Sequence, residues 1–353
     1  MVQRIIQLSS DPVSSVRMRV ADFLGCMEKT YPSDMYNILE KMLKTDTSSP
    51  VLHSLMVRLV HRLVFVNPEK AWEFTETVAA RTDIRGDVAA QVHEECVARY
   101  LDLYLYADHL RSEQRIKTFT TDVLTYTSEA TTIVNRIREH LVVGPVHPAE
   151  PKAEVVRKRS FRIFEEIAGA VQSGYRTLSE KNQGKSWPSE DAEKARAIMQ
   201  LIDHIASQML FAVRADAYRQ VGNQAPGPLP REIKTRFLSE SDRLFDLLIA
   251  VPHPSIVHQL VETLVSLLET DPRRAFLKVV SIVKAARAGG YQREHLATGL
   301  IVDLANRIFA DYRPMLQDYR DAREAMDQLL DIFVQAGWPQ AMRITYRLDE
   351  IFR

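Results

Sequence analysis

The feature that most constrains this chain is an internal copy of one of its own segments. Residues 50–72 align with residues 254–276 at an offset of 204, and the alignment needs no gap. The identical or similar pairs are Pro50/Pro254, Val57/Val261, Leu63/Leu267, Asn67/Asp271, Pro68/Pro272, Ala71/Ala275 and Trp72/Phe276. Apolar residues also recur at four-residue steps in both segments, at Leu52, Met56, Val60 and Val64 and at Ile256, Leu260, Leu264 and Leu268. Such self-similarity is typical of arrays that repeat one supersecondary unit.

Two further copies extend the pattern. At an offset of 36, Pro32 matches Pro68 and Tyr36 matches Trp72. The apolar residues of that copy are Val16, Val20, Phe23, Leu24 and Met27, which match Leu52, Met56, Leu59, Val60 and Leu63. A weaker copy lies 66 residues beyond the 254–276 segment, with Pro339 displaced by one residue; it matches Ala322, Met326, Leu330 and Phe333 to Ile256, Leu260, Leu264 and Leu267.

Each copy predicts a pair of helices. Proline is tolerated in the first helical turn, because the backbone N–H that it lacks has no partner there. Pro12 and Pro50 are therefore expected to begin the first helix of a pair, and Pro32 and Pro68 the second. Helix pairs with a period of about 36–40 residues suggest an α-solenoid.

Two other positions of the pattern predict local contacts. Asn67 and Asp271 directly precede the second proline, where a side chain that caps a helix is preferred. The aromatic residue four positions after that proline lies one turn into the second helix, where it can pack back onto the first. We therefore expect Tyr36, Trp72 and Phe276 to occupy equivalent positions between paired helices.

The beginning of the chain resembles the HEAT repeat. In that family an Asp precedes a Pro, a Val-Arg pair follows, and a run of small and apolar residues ends near Leu-Gly. The matching residues here are Asp11, Pro12, Val16, Arg17, Ala21, Leu24 and Gly25. The resemblance is good over residues 1–45, fair over 46–110 and 250–312, and poor over 113–250. It implies an all-α fold, a HEAT-like or armadillo-like α-solenoid of antiparallel helix pairs.

The middle of the chain predicts a different organisation, an irregular section of long helices. We expect helices over residues 111–141, 153–179 and 189–221, the first including a Thr-rich face and the third capped by Ser189. Segments rich in Pro or Gly interrupt them at 143–151, 181–188 and 222–230, either as binding elements or as plain connections. The expected divisions are 1–110, 111–250 and 251–353, in a chain that is possibly part of a larger protein.

Charge and cysteine content bear on the function and on the compartment. The 46 Lys and Arg residues balance 46 Asp and Glu residues, whereas a dedicated nucleic-acid binder usually carries excess positive charge. The two cysteines, Cys26 and Cys96, favour a reducing compartment over a secreted disulfide framework. No uninterrupted apolar stretch approaches the ~20 residues that span a bilayer. We expect a cytoplasmic protein without membrane contact.

Motifs for catalysis, cofactors and metal ions are incomplete. Residues 93–97, His-Glu-Glu-Cys-Val, begin like a zinc-protease helix but have Val97 where the second His should be. Residues 184–186, Gly-Lys-Ser, end like a phosphate-binding loop, but Ser179 stands at the position of its first Gly. We therefore expect no enzyme, no cofactor and no metal site.

A basic cluster is the candidate binding site. Its members are Arg157, Lys158, Arg159 and Arg162 at the start of a predicted helix, with Lys185 and Trp187 beyond the far end. Positive charge at a helix N-terminus opposes the helix dipole, which a phosphate-binding or acid-binding role would explain. The alternative is a solvated face balanced by nearby acidic residues, which are Glu150, Glu154, Glu165 and Glu166.

These observations favour a non-enzymatic scaffold for protein–protein interaction, in the regulatory or sensor region of a larger protein. The resemblance implies partners that are other proteins or further domains of the same polypeptide. The alternatives are nucleic-acid binding through a basic face of the array and an enzyme whose site is assembled from distant residues. Because repeat arrays expose apolar surface unless their ends are capped, we also expect an apolar face at one end.

Overall fold

The chain is helical throughout the part that the structure describes. The structure is a computed structural model that describes residues 1–142, 153–183, 186, 188–214, 229–251, 253–288 and 298–337. Helices account for 84% of these residues. The same ranges contain no β-strand, only an isolated bridge between Ser48 and Arg85. The predicted all-α fold is confirmed.

The chain divides into two compact units, and each is described by itself. Unit 1 consists of Met1–Asp122 and Tyr126–Arg136, and unit 2 of Val123–Thr125 and Ile137–Arg353. The boundary between them lies inside the section 111–250 that the sequence predicts to be irregular.

Unit 1 is built from three helix pairs with a further helix before and after them. Its helices are α1 (Val2–Leu8), α2 (Ser14–Met27), α3 (Pro32–Thr45), α4 (Ser49–Leu55), α5 (His61–Val66), α6 (Pro68–Ala79), α7 (Ala89–Ala107), α8 (Leu110–Thr121) and α9 (Thr127–Ile137). A π-helical turn, Met56–Val60, joins α4 to α5 in one rod. The pairs are α2 with α3, the α4–α5 rod with α6, and α7 with α8.

Neighbouring pairs in unit 1 pack through equivalent helices. α2 packs against the α4–α5 rod, and the rod packs against α7. α3 packs against α6, the second helix of the following pair. Leu59 in the π turn lies against Gly25 of α2, which places one face of the rod toward the preceding pair. First helices therefore contact first helices along this unit.

The proline and capping predictions are largely confirmed. Pro32, Pro50 and Pro68 all lie in the first turn of a helix. The side chain of Asn67 accepts a hydrogen bond from the Lys70 backbone N–H at 3.2 Å. In unit 2, Asp271 accepts one from the Arg274 N–H at 3.0 Å. These bonds satisfy backbone donors that have no partner inside the helix.

Two predicted helix starts are wrong. α2 begins at Ser14 and not at Pro12, because the Asp11 carboxylate accepts a hydrogen bond from the Val13 N–H at 2.8 Å and holds the preceding backbone in a turn. Ser189 does not cap α11 (Ser189–Val213): it is already helical, and Pro188 occupies the cap position without a side-chain bond.

The single helix predicted over 111–141 is also wrong. α8 ends at Thr121 and α9 begins at Thr127. The hydroxyls of Thr118 and Thr121 donate to the carbonyls of Gln114 and Lys117 at the end of α8. Such local bonds between a side chain and the backbone compete with helix continuation, which explains why a Thr-rich run ends a helix despite its apolar periodicity.

The three equivalent aromatic residues differ in burial. Trp72 and Phe276 are buried, as predicted, but Tyr36 is half-buried. The Trp72 ring packs against Tyr100 and His109, at centroid distances of 5.2 and 5.1 Å.

Unit 2 contains nine α-helices in its described part. They are α10 (Ala153–Lys181), α11 (Ser189–Val213), α12 (Arg231–Glu240), α13 (Asp242–Ile249), α14 (Pro254–Leu267), α15 (Pro272–Ala288), α16 (Thr298–Asp311), α17 (Arg313–Asp318) and α18 (Arg320–Ala336). α11, α14 and α16 pack in that order, and so do α10, α13, α15 and α18. The apolar positions of the weak fourth copy are buried, as the repeat pattern predicts; they are Ala322, Met326, Leu330 and Phe333.

Candidate interaction surface

The basic cluster proposed from the sequence does not form one patch on α10. Arg157 is buried and makes a two-point ion pair with Glu240 of α12, at 3.0 and 3.2 Å. Lys158 and Arg162 are exposed, and each contacts an acidic residue on its own helix, Glu154 at 2.7 Å and Glu166 at 2.8 Å. Arg157 thus joins two helices of unit 2 instead of facing a ligand.

Of the remaining cluster members, only Arg159 belongs to the residues that the structure describes. Arg159 is half-buried on the same helix. Lys185 and Trp187 lie outside the described residues.

A chain of alternating charges crosses the interior of unit 1. Glu95 and Arg99 of α7 are both buried, and Arg99 Nη2 lies 3.3 Å from Glu95 and 3.1 Å from Asp102. Glu95 also pairs with Arg136 of α9, and Asp102 lies 3.2 Å from His61 Nδ1. Buried charges are tolerated only when they are paired, so this chain fixes α7 between α5 and α9.

The π turn contacts the centre of this charge chain. The Met56 carbonyl accepts a hydrogen bond from the His61 backbone N–H and a second, at 3.4 Å, from Arg99 Nη1. π turns are rare and often occur at functional sites, because the extra residue redirects the side chains that follow. Here it lies directly before His61 and Arg62.

The outer surface of α2 and the rod carries ion pairs that are unequal in exposure. Arg58 pairs with Asp22, and Arg62 lies 2.7 Å from Glu28. The Arg58 and Arg62 side chains are 61% and 48% exposed, whereas Asp22 and Glu28 are 27% and 15% exposed. Arg19, which lies 3.5 Å from Asp22, is 87% exposed. The carboxylates lie beneath the guanidinium groups, so this surface presents positive charge to solvent.

Apolar side chains lie beside these cations. Phe65 is 59% exposed, with its ring 5.5 Å from the rings of His61 and Tyr106. Phe23 of α2 is also exposed. We use the name mixed face for the surface formed by Arg19, Phe23, Arg58, His61, Arg62 and Phe65.

A polar groove of about 400 Å³ lies elsewhere in unit 1. It is lined by Glu94, Thr127, Ser128, Thr131, Thr132, Asn135 and Arg136. Small-molecule sites are usually lined by apolar and aromatic groups with a few polar ones. A lining without aliphatic or aromatic residues is instead typical of a solvated groove between helices.

The residues of the incomplete zinc-protease motif lie together on α7 but have different surroundings. His93 Nε2 lies 3.0 Å from Glu129 of α9. Burial raises the pKa of the Cys96 thiol to about 12, so the thiol stays protonated and unreactive at neutral pH. Among the residues that the structure describes, no group of three or more His, Cys, Asp or Glu side chains is placed to hold a metal ion.

Within the described ranges, one helical segment has the length and composition of a weak membrane-span candidate. This segment, Ser49–Val66, is the α4–α5 rod, and half of it is buried within the protein. A core helix passes the same test of length and hydropathy.

The chain matches no family model, no curated protein and no solved structure with which it was compared. The mixed face therefore rests on geometry alone. The sequence places Arg58 and Arg62 on a polar stripe of the first helix, but it does not distinguish the exposed Phe65 from its buried apolar neighbours.

Proposed function

We propose that the chain is a non-enzymatic scaffold for protein–protein interaction, built from HEAT-like helix pairs in an α-solenoid arrangement. The observation that carries the proposal is the packing of equivalent helices in unit 1, where α2 contacts the rod, the rod contacts α7, and α3 contacts α6. Contact between each repeat and its neighbour is the organisation of a repeat array. Arrays of this kind offer long surfaces with many side chains for partner binding.

The electrostatics of the helices support a scaffold over a nucleic-acid binder. Unit 1 contains 16 Lys and Arg against 18 Asp and Glu, which leaves 30 against 28 for unit 2. Neither unit carries the excess positive charge that attracts a phosphate backbone at a distance.

The partner is proposed to be another protein or a further domain of the same polypeptide, in the cytoplasm. Both cysteines are free thiols, Cys26 exposed and Cys96 buried, which suits a reducing compartment.

Crosslinking mass spectrometry on the tagged full chain, purified from its own cells at about 0.15 M salt, tests the proposal. We expect at least one protein at a fixed ratio to the chain, retained after nuclease treatment and crosslinked to exposed helix faces. Recovery of nucleic acid in place of protein, or loss of every partner on nuclease treatment, would favour the alternative. A chain that elutes alone contradicts the scaffold function.

A further inference from the structure

The mixed face places two kinds of side chain in adjacent rows on the rod. Arg58 and Arg62 lie on the side of α2, because their ion-pair partners are on or directly after that helix. His61 and Phe65 lie on the side of α7, because they contact Asp102 and Tyr106 of that helix. A row of cations therefore runs alongside a row with an exposed aromatic ring.

The row of cations presents its positive charge to solvent. The guanidinium groups of Arg19, Arg58 and Arg62 project beyond the carboxylates with which they pair, as the exposed fractions of the two sides show. A guanidinium has five N–H donors arranged in a planar fork, more than one carboxylate oxygen takes up. A second carboxylate that approaches from solvent meets these donors first.

The exposed aromatic rings favour a protein partner over a nucleic acid. A phosphate backbone would engage the cations but would give Phe65 and Phe23 no apolar surface to bury. Unit 1 as a whole is slightly acidic, so it lacks the field that concentrates a polyanion around a protein. An amphipathic helix offers carboxylates and apolar side chains in neighbouring stripes, which matches the two rows.

We infer that the mixed face binds an amphipathic helix of a partner protein. Its acidic stripe pairs with Arg19, Arg58 and Arg62, and its apolar stripe packs on Phe65. The inference rests on the proposed scaffold function and names the chemistry of the partner segment.

The test is a selection of random displayed peptides, long enough for about four helical turns, against the immobilised full chain. Selected sequences should combine Asp or Glu with Leu, Ile, Phe or Met at helical spacing. Their affinity should fall as salt rises, because the ion pairs are at the surface.

Paired variants locate the binding. In the first variant, Arg58→Gln with Arg62→Gln, the affinity for a selected peptide should fall by about tenfold or more. The matched control is Lys158→Gln with Arg162→Gln on α10, which removes two exposed, ion-paired cations with the same spacing. The control should bind the peptide as the unchanged chain does.

A further variant keeps the test independent of folding. Because Phe65 is mostly exposed and belongs to no ion pair, Phe65→Ser should leave the helical circular-dichroism spectrum unchanged and weaken the peptide several-fold. If the selected peptides lack acidic residues, the inference is overturned while the scaffold function stands. The same holds if acidic peptides bind the Arg58/Arg62 variant and the Phe65 variant as tightly as the unchanged chain. A duplex DNA that binds the mixed face more tightly than any peptide also overturns it. Failure to select any peptide contradicts both proposals.

Discussion

The first two helix pairs of unit 1 follow one sequence pattern but bury different residues. On the rod, Val51, Leu55 and Leu59 recur at four-residue steps and are buried, and Leu59 lies against α2. The residues of α2 at the same repeat positions are Ser15, Arg19 and Phe23, and all three are exposed. A repeat position is therefore apolar where another helix pair covers it, and mostly polar where none does.

This difference bears on the expected apolar end face. The exposed residues of α2 include the polar Ser15 and Arg19, but also Met18, Phe23 and Cys26. Residues 340–352, near the other end of the chain, lie outside the described residues. An apolar end face therefore stays a prediction.

The two helices also differ in backbone geometry. α2 is a regular α-helix of 14 residues, whereas the rod contains the π turn whose Met56 carbonyl accepts a bond from Arg99. The irregular turn occurs in the covered pair and not in the first one, and the buried arginine that bonds to it comes from α7 of the next pair. Four predictions sharpen this comparison, in order of decreasing effect.

Arg99→Leu should destabilise unit 1 by about 3–5 kcal/mol, since it leaves two carboxylates, Glu95 and Asp102, without their central cation. Urea unfolding followed by circular dichroism measures the change. The control is Arg58→Gln, an exposed pair that should cost less than about 1 kcal/mol. Equal effects of the two variants would show that the charge chain does not stabilise the covered pair.

Trp72→Ala should cost about 3–5 kcal/mol, because the ring is buried against Tyr100 and His109. Tyr36→Ala, at the same repeat position of the first pair, should cost about 1–2 kcal/mol, because Tyr36 is half-buried. The unfolding midpoints of the two variants in urea are compared. If Tyr36 proves as costly as Trp72, the two positions are equivalent in energy despite their different exposure.

Leu55→Ala should cost about 2–5 kcal/mol, since the side chain is fully buried. Arg19→Ala, at the equivalent position of α2, should change stability by no more than about 0.5 kcal/mol. Differential scanning calorimetry measures the stability of both variants relative to the unchanged chain. A large loss for Arg19→Ala would mean that the first pair depends on this side chain in a way its exposure does not suggest.

Some of these features could be predicted from the sequence because they are local. Proline in a first turn and Asn or Asp before it act through the nearest backbone groups. The helix start at Pro68 and the cap at Asn67 could therefore be predicted from the sequence. The end of α8 was also local, but its Thr hydroxyl bonds compete with an apolar periodicity that points the other way.

The mixed face could not be predicted in the same way. A regular helix with the rod's sequence has a single periodicity, and the π turn interrupts it between Leu55 and His61. Only with that turn in place does it become clear that Phe65 is exposed while Leu63 and Val64 are buried. The depth of Asp22 and Glu28 beneath their arginines likewise depends on packing between two helices.

The smallest expected effect concerns the caps of α3 and α6, which have nearly the same backbone. Tyr31 has φ −138° and ψ 58°, and Asn67 has φ −148° and ψ 79°. The carbonyl of each accepts the first helical hydrogen bond at 3.0 Å. Only Asn67 adds a side-chain bond, to Lys70 N–H, so Asn67→Ala should cost about 1 kcal/mol.

Tyr31→Asn should therefore transfer the missing cap to the first pair. The new amide oxygen would reach the Asp34 N–H, which is three residues on, as Lys70 is from Asn67. We expect a gain of about 0.5–1 kcal/mol, offset in part by the loss of the apolar contacts of the Tyr31 ring, which is 38% exposed. Slower hydrogen exchange at the Asp34 amide, together with a higher unfolding midpoint, is the expected result. If exchange at Asp34 stays unchanged while Asn67→Ala destabilises α6, the matching backbone angles do not suffice for a cap, and the two pairs differ at their turns as well as on their faces.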